Sequence, residues 1–231
     1  MRNSKKSKSK KLLDDDFQLN DSEQAAQAEK DQNEAETVEI IKRIQGGEKS
    51  AFGELMKKYK NQVAGIAYRM VGDYDEAKDV SQMVFVKTSR NLDRFDTTKK
   101  FSTWLYRITV NASIDYIRKQ KKHRHEAIDN YTDSVETHGD SPDTSLYRKN
   151  IKECILQAAD ALNDKQKAAF LLRDIDGHEI QEVSEILGMP EATVRWYLHR
   201  ARLRLRKELV RKYPAFVKKA GVVLDQPVRE L

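Results

Sequence analysis

Residues 100–122 read KFSTWLYRITVNASIDYIRKQKK, and the spacing of their apolar side chains governs how the rest of the chain is interpreted. Projected at about 100° per residue, this segment carries two apolar stripes, whereas an ordinary surface helix carries one. One stripe contains Phe101, Leu105, Ile108, Ala112 and Tyr116, and the nearly opposite one contains Tyr106, Val110, Ile114 and Ile117. The segment is therefore predicted to be a helix that packs on two sides, or that packs on one side and binds a partner with the other.

A polar seam runs between the two stripes. Its members are Arg107, Asn111 and Arg118, with Trp104 and Lys122 at the edge. Asp115 is within reach of Asn111 and Arg118, an arrangement that would satisfy a carboxylate placed beside an apolar stripe. Two interpretations are open. Either Trp104 is a core residue beside solvated cations, or it is a platform on which an unstacked base stacks while the cations bind the phosphates of the backbone.

Helical spacing also dominates the sequence before this segment. VEIIKRIQ (38–45) ends at a Gly-Gly pair, and AFGELMKKYKNQVAGIAYRMV (51–71) ends at Gly72, both good helix stops. Asp73 and Glu76 resemble a capping box for a third helix that runs to about Asn91. LDRFDTTKK (92–100) is predicted to be a polar loop. Helices without strand-like alternation indicate an all-α domain.

The second helical block contains EIQEVSEILGMPEATVRWYLHRARLRLR (179–206), which has the spacing of a helix-turn-helix. Ser184 is a small residue in the first helix, Gly188 tolerates a left-handed backbone at the turn, and Val194 is apolar where the helices meet. The second helix combines an apolar stripe with a cationic surface, since residues 191–211 hold 7 cations and 2 anions. Such a helix fits the major groove of DNA.

Charge is distributed unevenly along the 231 residues, whose net charge is +6. Residues 38–121 carry +7, residues 122–147 carry −4 and residues 148–211 carry +3, a pattern that suits two polyanion-facing modules. We predict an all-α chain of two small helical domains joined by a flexible acidic linker, the second ending in a helix-turn-helix. The predicted boundaries are a disordered tail at 1–36, a first domain at 37–120, the linker at 121–145, a second domain at 146–211 and a C-terminal extension at 212–231.

Composition disfavours several classes of protein. There is no run of 18 apolar residues, and polar sequence follows the basic N-terminus, so a soluble cytoplasmic protein is expected. The single cysteine, Cys154, excludes an internal disulfide and is predicted to be a small buried side chain. His123 and His125 with Cys154 do not make a zinc pattern. With no phosphate-binding glycine-rich loop and no nucleophile elbow, neither an enzyme nor a metal or cofactor site is predicted.

From about residue 38 to residue 211, the order of segments resembles bacterial sigma factors of the extracytoplasmic-function type. AFGELMKKYKNQVAGIAYRMVGDYDEAKDVSQMVFV (51–86) is similar to the family's polymerase-clamp-binding segment, and FSTWLYRITVNASIDYIR (101–118) to its promoter-melting segment. LNDKQKAAFLLRDIDGHEIQEVSEILGMPEATVRWYLHRARLRLR (162–206) is similar to its terminal helix-turn-helix domain. The spacing W-L-x-R-I-x-x-N-x-x-x-D-x-x-R, followed by that domain, is the most specific part of the resemblance.

The resemblance implies a transcription initiation factor that binds core RNA polymerase, recognises −10 and −35 promoter elements and helps to melt the −10 region. Residues 37–120 and 146–211 would be sigma regions 2 and 4. The helix with Asp79 and Gln82 would bind the β′ coiled coil. The implied −10 contacts are Arg94, Lys99, Lys100, Trp104, Arg107, Asn111, Arg118 and Lys119. The implied −35 contacts are Arg195, Trp196, His199, Arg200 and Arg202.

The implied partners are core RNA polymerase, through its β′ and β subunits, and promoter DNA, with no cofactor and no membrane. The resemblance also leaves room for an anti-sigma factor. Lys78 and Met83 stand where the family usually has acidic residues, and Trp196 and Tyr197 where a small residue and an Arg are common. An ordinary helix-turn-helix regulator, acting on duplex DNA without polymerase, is the alternative, but it leaves the pattern from Trp104 to Arg118 unexplained.

Overall fold

The computed structural model describes residues 32–128, 153–214 and 217, and every regular element among them is helical, as predicted. The first four helices are α1 (32–45), α2 (Ala51–Val71), α3 (Tyr74–Asn91) and α4 (Phe101–Ile128). The last four are α5 (153–159), α6 (Asp164–Phe170), α7 (Ile180–Leu187) and α8 (Glu191–Lys212). A 3-10 turn covers Leu92–Arg94, and a π-helical turn over Leu171–Ile175 continues α6. No helix among these residues is both long and apolar enough to cross a bilayer.

Contacts divide the chain into two compact units. The first contains residues up to 59 together with residues 89–101, and the second contains residues 60–88 together with those from 102 onward. All of α4 after its first residue therefore belongs to the same unit as α5–α8.

The first unit is centred on an aromatic group. Tyr59 and Phe95 each meet the ring of Phe101 edge-on, at centroid distances of 5.1 and 5.5 Å. The hydroxyl of Tyr59 lies 3.1 Å from the hydroxyl of Thr37. Burial raises the pKa of Tyr59 to about 12, because a charged phenolate is unfavourable away from water.

Helix α1 extends to residue 32, five residues into the segment predicted to be a disordered tail. The carboxylate of Glu34 accepts a hydrogen bond from the backbone N–H of Phe101 at 2.7 Å. The ammonium of Lys58 donates to the carbonyl of Asn33 at 2.8 Å and to the carboxylate of Glu36 at 3.2 Å. Polar contacts hold this segment, and hydrophobic periodicity does not detect such contacts. The rest of the predicted tail lies outside the described residues.

The second unit is built around an apolar cluster shared by the helices on both sides of the predicted linker. From α2 and α4 it takes Ile66, Met70, Val110 and Ile114. From the C-terminal helices it takes, among others, Ala158, Phe170, Val183, Ile186 and Leu198. Tyr106 and Ile117 pack against the same cluster, so the whole second stripe of α4 takes part in it. The structure therefore favours the first of the two predicted arrangements, a helix that packs on two sides.

Helix α4 continues to Ile128, eight residues beyond the predicted end of the first domain. The sequence KKHRHEAI (121–128) contains no Gly or Pro, and Lys, Arg, Glu and Ala are good helix formers, so nothing local ends the helix at residue 120. The predicted linker from residue 129 to residue 145 lies outside the described residues.

The predicted helix start at Asp73 is confirmed, and the structure shows a second capped start at Asn163. The carboxylate of Asp73 accepts hydrogen bonds from the backbone N–H groups of Asp75 and Glu76 at 2.9 and 3.0 Å. Asn163 and Gln166 form a reciprocal capping box at the start of α6. Each cap satisfies backbone donors that a helix leaves without intrahelical partners.

Candidate polymerase and promoter interfaces

One face of α3 presents apolar and polar groups to solvent. Asp79, Gln82, Met83 and Val86 follow the spacing of one helix face, and Met83 and Val86 are 40% and 49% exposed. The opposite face is buried through residues such as Val80, which fixes the orientation of the exposed one. The predicted polymerase contacts Asp79 and Gln82 therefore lie on the same exposed face as the apolar side chains Met83 and Val86.

A groove of about 410 Å³ runs beside this face, between α3 and α4. It is lined by Met83, Lys87, Ala112, Asp115, Tyr116, Lys119 and Gln120. Lys119, one of the predicted −10 contacts, therefore lies on the α4 side of the groove, away from the second stripe.

The segment 92–100 has a defined conformation within the first unit. Leu92 is fully buried and Phe95 is 8% exposed, and the side-chain amide of Gln45 donates to the carbonyls of both at 2.9 and 3.0 Å. The carboxylate of Asp96 accepts from the N–H and the hydroxyl of Thr98, and these hydrogen bonds lower the pKa of Asp96. The predicted −10 contacts in this segment are all exposed: Arg94, Lys99 and Lys100.

The polar seam of α4 is only partly as predicted. Arg107, Asn111 and Arg118 are exposed, and Trp104 beside them is half-buried. The predicted pairing of Asp115 with Arg118 is wrong. The Arg118 Nε donates to Asp164 in the first turn of α6, at 3.2 Å, while the Asp115 carboxylate lies 3.9 Å from the Lys87 ammonium. A carboxylate distant in sequence has replaced the local one, because α6 packs beside α4.

The predicted helix-turn-helix is confirmed. The Ser184 hydroxyl donates to the carbonyl of Met189 at 2.6 Å, and the Met189 N–H donates back to the carbonyl of Ser184 at 3.1 Å. Gly188 has the left-handed backbone that the turn needs, with φ of 62°. Val194 is fully buried where the helices meet, and α8 also buries Leu198, Ala201 and Leu205 along one stripe.

The cations of α8 differ in what they contact. The Arg202 guanidinium makes a two-pronged contact with Asp174, at 3.0 and 2.7 Å, which raises the pKa of Arg202. Arg195 pairs with Glu191 one turn earlier, at 2.9 Å. Of the predicted −35 contacts, Arg202 is therefore tied to its own domain by a fork geometry that occupies two of its donors.

A second group on α8 faces solvent. Trp196 is 52% exposed, and the Arg200 guanidinium carbon lies 5.4 Å from the centroid of its ring. Tyr197 meets the Trp196 ring edge-on at 5.1 Å, and His199 is exposed beside them. Stacking on an aromatic face restricts an arginine without using its hydrogen-bond donors, so Arg200 is held in position for a further acceptor.

Comparison with known proteins finds matches to both helical parts of the chain. The family model of Sigma-70 region 2 matches residues 55–123, and that of Sigma-70, region 4 matches residues 152–205. The ECF RNA polymerase sigma factor SigW of Bacillus subtilis is 36% identical over 177 residues, which covers 73% of this chain and 94% of SigW. The chain belongs to the extracytoplasmic-function (ECF) sigma factors of RNA polymerase. The predicted resemblance is confirmed.

Further relatives of this sigma factor cover a similar extent. The RNA polymerase sigma-H factor of Pseudomonas aeruginosa is 30% identical over 178 residues, covering 74% of this chain and 92% of its own. The structure of CnrH in complex with the cytosolic domain of CnrY has a TM-score of 0.55 at 23% identity, and covers 76% of this chain and 97% of its own. RpoE of Bartonella quintana, in complex with the anti-sigma factor NepR, has a TM-score of 0.54 at 22% identity, with coverages of 68% and 96%. At these identities, the two structures show a shared fold.

The two family models include the helices that carry the candidate contacts of this sigma factor. The region 2 match runs from within α2 into α4 and contains Asp79, Gln82 and Trp104. The region 4 match runs through α5–α7 and most of α8. Arg69, Lys167 and Asp176, which join the two matched regions, were not among the predicted functional residues, because their partners are about a hundred residues away in the sequence.

Proposed function

We propose that this sigma factor binds core RNA polymerase through the exposed face of α3, the −10 element through residues 92–100 and α4, and the −35 element through α8. One observation carries the proposal. A half-buried tryptophan beside exposed cations on α4 occurs in the same chain as a helix-turn-helix whose outer face presents Trp196, His199 and Arg200.

Polymerase binding is assigned to α3 on the basis of its surface. Met83 and Val86 are among the exposed large apolar side chains, and Asp79 and Gln82 lie on the same face. Apolar groups surrounded by polar ones are typical of a protein interface, in which buried apolar anchors supply affinity and the polar groups supply orientation. The coiled-coil helices of the β′ subunit are the partner that the family relationship indicates.

The −10 element is assigned to Trp104 and its cationic neighbours. Opening duplex DNA costs on the order of 1–2 kcal/mol per stacked step. Stacking of a displaced base on an aromatic side chain returns about 1–3 kcal/mol. Arg107 and Lys119 on α4, and Arg94, Lys99 and Lys100 in the segment 92–100, supply phosphate contacts that stabilise the separated strand.

The −35 element is assigned to α8 by direct readout. A helix-turn-helix places its second helix in the major groove, where an arginine can donate two hydrogen bonds to guanine. Arg200 lies over the ring of Trp196, a contact that uses none of its hydrogen-bond donors, while Arg202 donates twice to Asp174. We assign base readout to Arg200 with Trp196 and His199, and backbone positioning to Arg195 and Arg202.

The test of this function is run-off transcription with purified core polymerase, combined with permanganate footprinting of thymines in the −10 region. Trp104→Ala should bind core polymerase normally and lose most of the permanganate signal, because the ring that holds the displaced base is absent. Trp104→Phe retains an aromatic face and should recover part of the signal.

Two results would contradict the proposal. Normal promoter opening by Trp104→Ala would remove the platform role. Failure of the unmodified protein to bind core polymerase, with retained binding of duplex DNA, would assign the chain instead to regulators that act without being polymerase subunits.

A further inference from the structure

The segment 92–100, which the proposed function assigns to the −10 element, is held at its start by a side chain of α1. The side-chain amide of Gln45 donates to the carbonyl of Leu92 at 2.9 Å and to the carbonyl of Phe95 at 3.0 Å. An amide nitrogen carries two N–H donors, so this pair of contacts uses both. The two carbonyls lie on either side of Arg94 in the chain. The amide therefore restrains the backbone on both sides of that exposed cation.

A second side chain of α1 holds the other end of the segment. The carboxylate of Glu34 accepts a hydrogen bond from the backbone N–H of Phe101, the first residue of α4, at 2.7 Å. The first N–H groups of a helix have no acceptor within the helix, and a side chain just before it usually supplies one. The side chain of Lys100, which precedes α4, contains only donors, and the first turn of α4 has no acidic residue. A residue 67 positions away in the sequence therefore supplies the cap.

The negative charge of Glu34 also suits this position. Lys99 and Lys100 are exposed cations directly before α4, at the positive end of its dipole, where cations are unfavourable. A carboxylate at the same helix terminus offsets this effect, because the dipole favours an anion there. The segment can thus present two cations to DNA phosphates while the start of α4 stays capped.

Helix α1 is itself fixed to α2 within the first unit, so it can support the segment. The ammonium of Lys58 on α2 donates to the carbonyl of Asn33 at 2.8 Å. Thr37 is fully buried, and its hydroxyl donates to the same carbonyl at 2.8 Å and lies 3.1 Å from the hydroxyl of Tyr59 on α2. These contacts are on both sides of Glu34 in the sequence, and they fix the part of α1 from which its carboxylate reaches α4.

Neither Glu34 nor Gln45 lies within the region 2 match, which begins at residue 55. Glu34 also belongs to the residues that were predicted to form a disordered tail. Both side chains act through polar contacts with a segment distant in sequence, and hydrophobic periodicity does not detect such contacts. Their role is therefore argued from the geometry of the first unit alone.

We propose that Gln45 and Glu34 are positioning residues for −10 recognition, which hold the two ends of the segment 92–100 so that its cations contact the −10 element in one arrangement. The inference rests on the proposed function, because only a DNA-binding role of this segment makes its conformation matter for promoter choice. A restrained backbone prevents the contacting side chains from adjusting to a wrong base pair. Loss of either restraint should therefore lower discrimination between −10 sequences.

The test measures promoter discrimination by the holoenzyme formed from core polymerase and the full chain. The preferred −10 and −35 elements are first selected from randomised duplex DNA with the unmodified chain. Discrimination is then the ratio of the affinities for the selected promoter and for promoters with one −10 base pair changed. A folding defect lowers the active fraction, which reduces both affinities equally and leaves their ratio unchanged. The ratio therefore separates positioning from folding.

Gln45→Met keeps the length of an exposed side chain and removes its donors. We expect −10 discrimination to fall roughly threefold to tenfold, which is the effect of one or two lost hydrogen bonds. Discrimination between −35 elements and binding of core polymerase should not change. Glu34→Ala should lower −10 discrimination in the same way, whereas Glu34→Gln keeps an acceptor oxygen for the N–H of Phe101 and should recover most of it.

The matched control for Glu34→Ala is Glu39→Ala, which removes the same charge from an exposed side chain of α1. Unchanged −10 discrimination in Gln45→Met or in Glu34→Ala overturns the positioning role of that residue. A loss in Glu39→Ala equal to that in Glu34→Ala also overturns it, since charge alone would then explain the effect. If the holoenzyme of the unmodified chain selects no −10 element from randomised DNA, the proposed function itself is overturned.

Discussion

Arg200 and Arg202 lie two positions apart on α8, and their contacts show that neighbouring cations on this surface have different roles. Arg202 donates twice to Asp174, whereas Arg200 lies over the ring of Trp196. The first arrangement uses hydrogen-bond donors within the domain, and the second leaves them for an outside acceptor. Helical spacing placed both among the predicted −35 contacts of α8, and it could not distinguish them because Asp174 is 28 residues from Arg202 in the sequence.

The difference between the two arginines leads to a prediction about promoter recognition. Arg200→Ala should cost roughly 1–3 kcal/mol of discrimination between the correct −35 element and one with a single substituted base pair, because it removes a donor pair from the groove. Competition binding of the holoenzyme to the two promoters measures this difference.

Arg202→Ala is the matched comparison on the same helix. It should leave −35 discrimination unchanged and lower the free energy of unfolding by no more than about 1 kcal/mol, because the pair with Asp174 is partly exposed. An equal loss of affinity on all sequences in Arg200→Ala would assign that residue to phosphate contact and contradict the base-reading role.

At the scale of elements, α4 shows where sequence-based prediction succeeds and where it stops. The two stripes and the seam follow from helix periodicity, and the buried and exposed residues of α4 agree with them. Periodicity predicted that the second stripe needs a partner, without saying which one. The partner is α5–α8 of the same chain, brought there by contacts such as Lys167 to Met70, 97 residues apart. The same limit explains the wrong pairing for Asp115, since Asp164 lies 46 residues beyond Arg118.

Helix α6 depends on its cap, because it is only seven residues long before the π-helical turn. The Asn163 side chain accepts from the Gln166 N–H at 2.8 Å. Asn163→Ala should therefore lower the free energy of unfolding by about 1 kcal/mol, within the range of roughly 0.5–2 kcal/mol for lost caps. Urea titration of the full chain, followed by circular dichroism, measures the change.

A conservative change at the same position serves as the control for the cap. Asn163→Asp keeps the acceptor and adds a charge that the helix dipole favours, so it should be as stable as the unmodified protein. A midpoint for Asn163→Ala equal to that of Asn163→Asp would show that packing of α6, rather than its cap, sets its stability.

At the scale of the whole molecule, the contacts that join α2 and α4 to α5–α8 combine burial with charge. Apolar residues such as Val110 and Leu198 supply the driving force for packing, and the pairs made by Arg69 and Lys167 restrict it to one arrangement. These contacts make the second half of α2, α4 and α5–α8 parts of one compact unit.

The central claim is that Trp104 on α4 holds a displaced base of the −10 element. Permanganate reactivity of the −10 thymines in the holoenzyme measures this most directly. We predict that Trp104→Ala binds core polymerase normally and loses most of this reactivity. Reactivity equal to that of the unmodified protein would contradict the account.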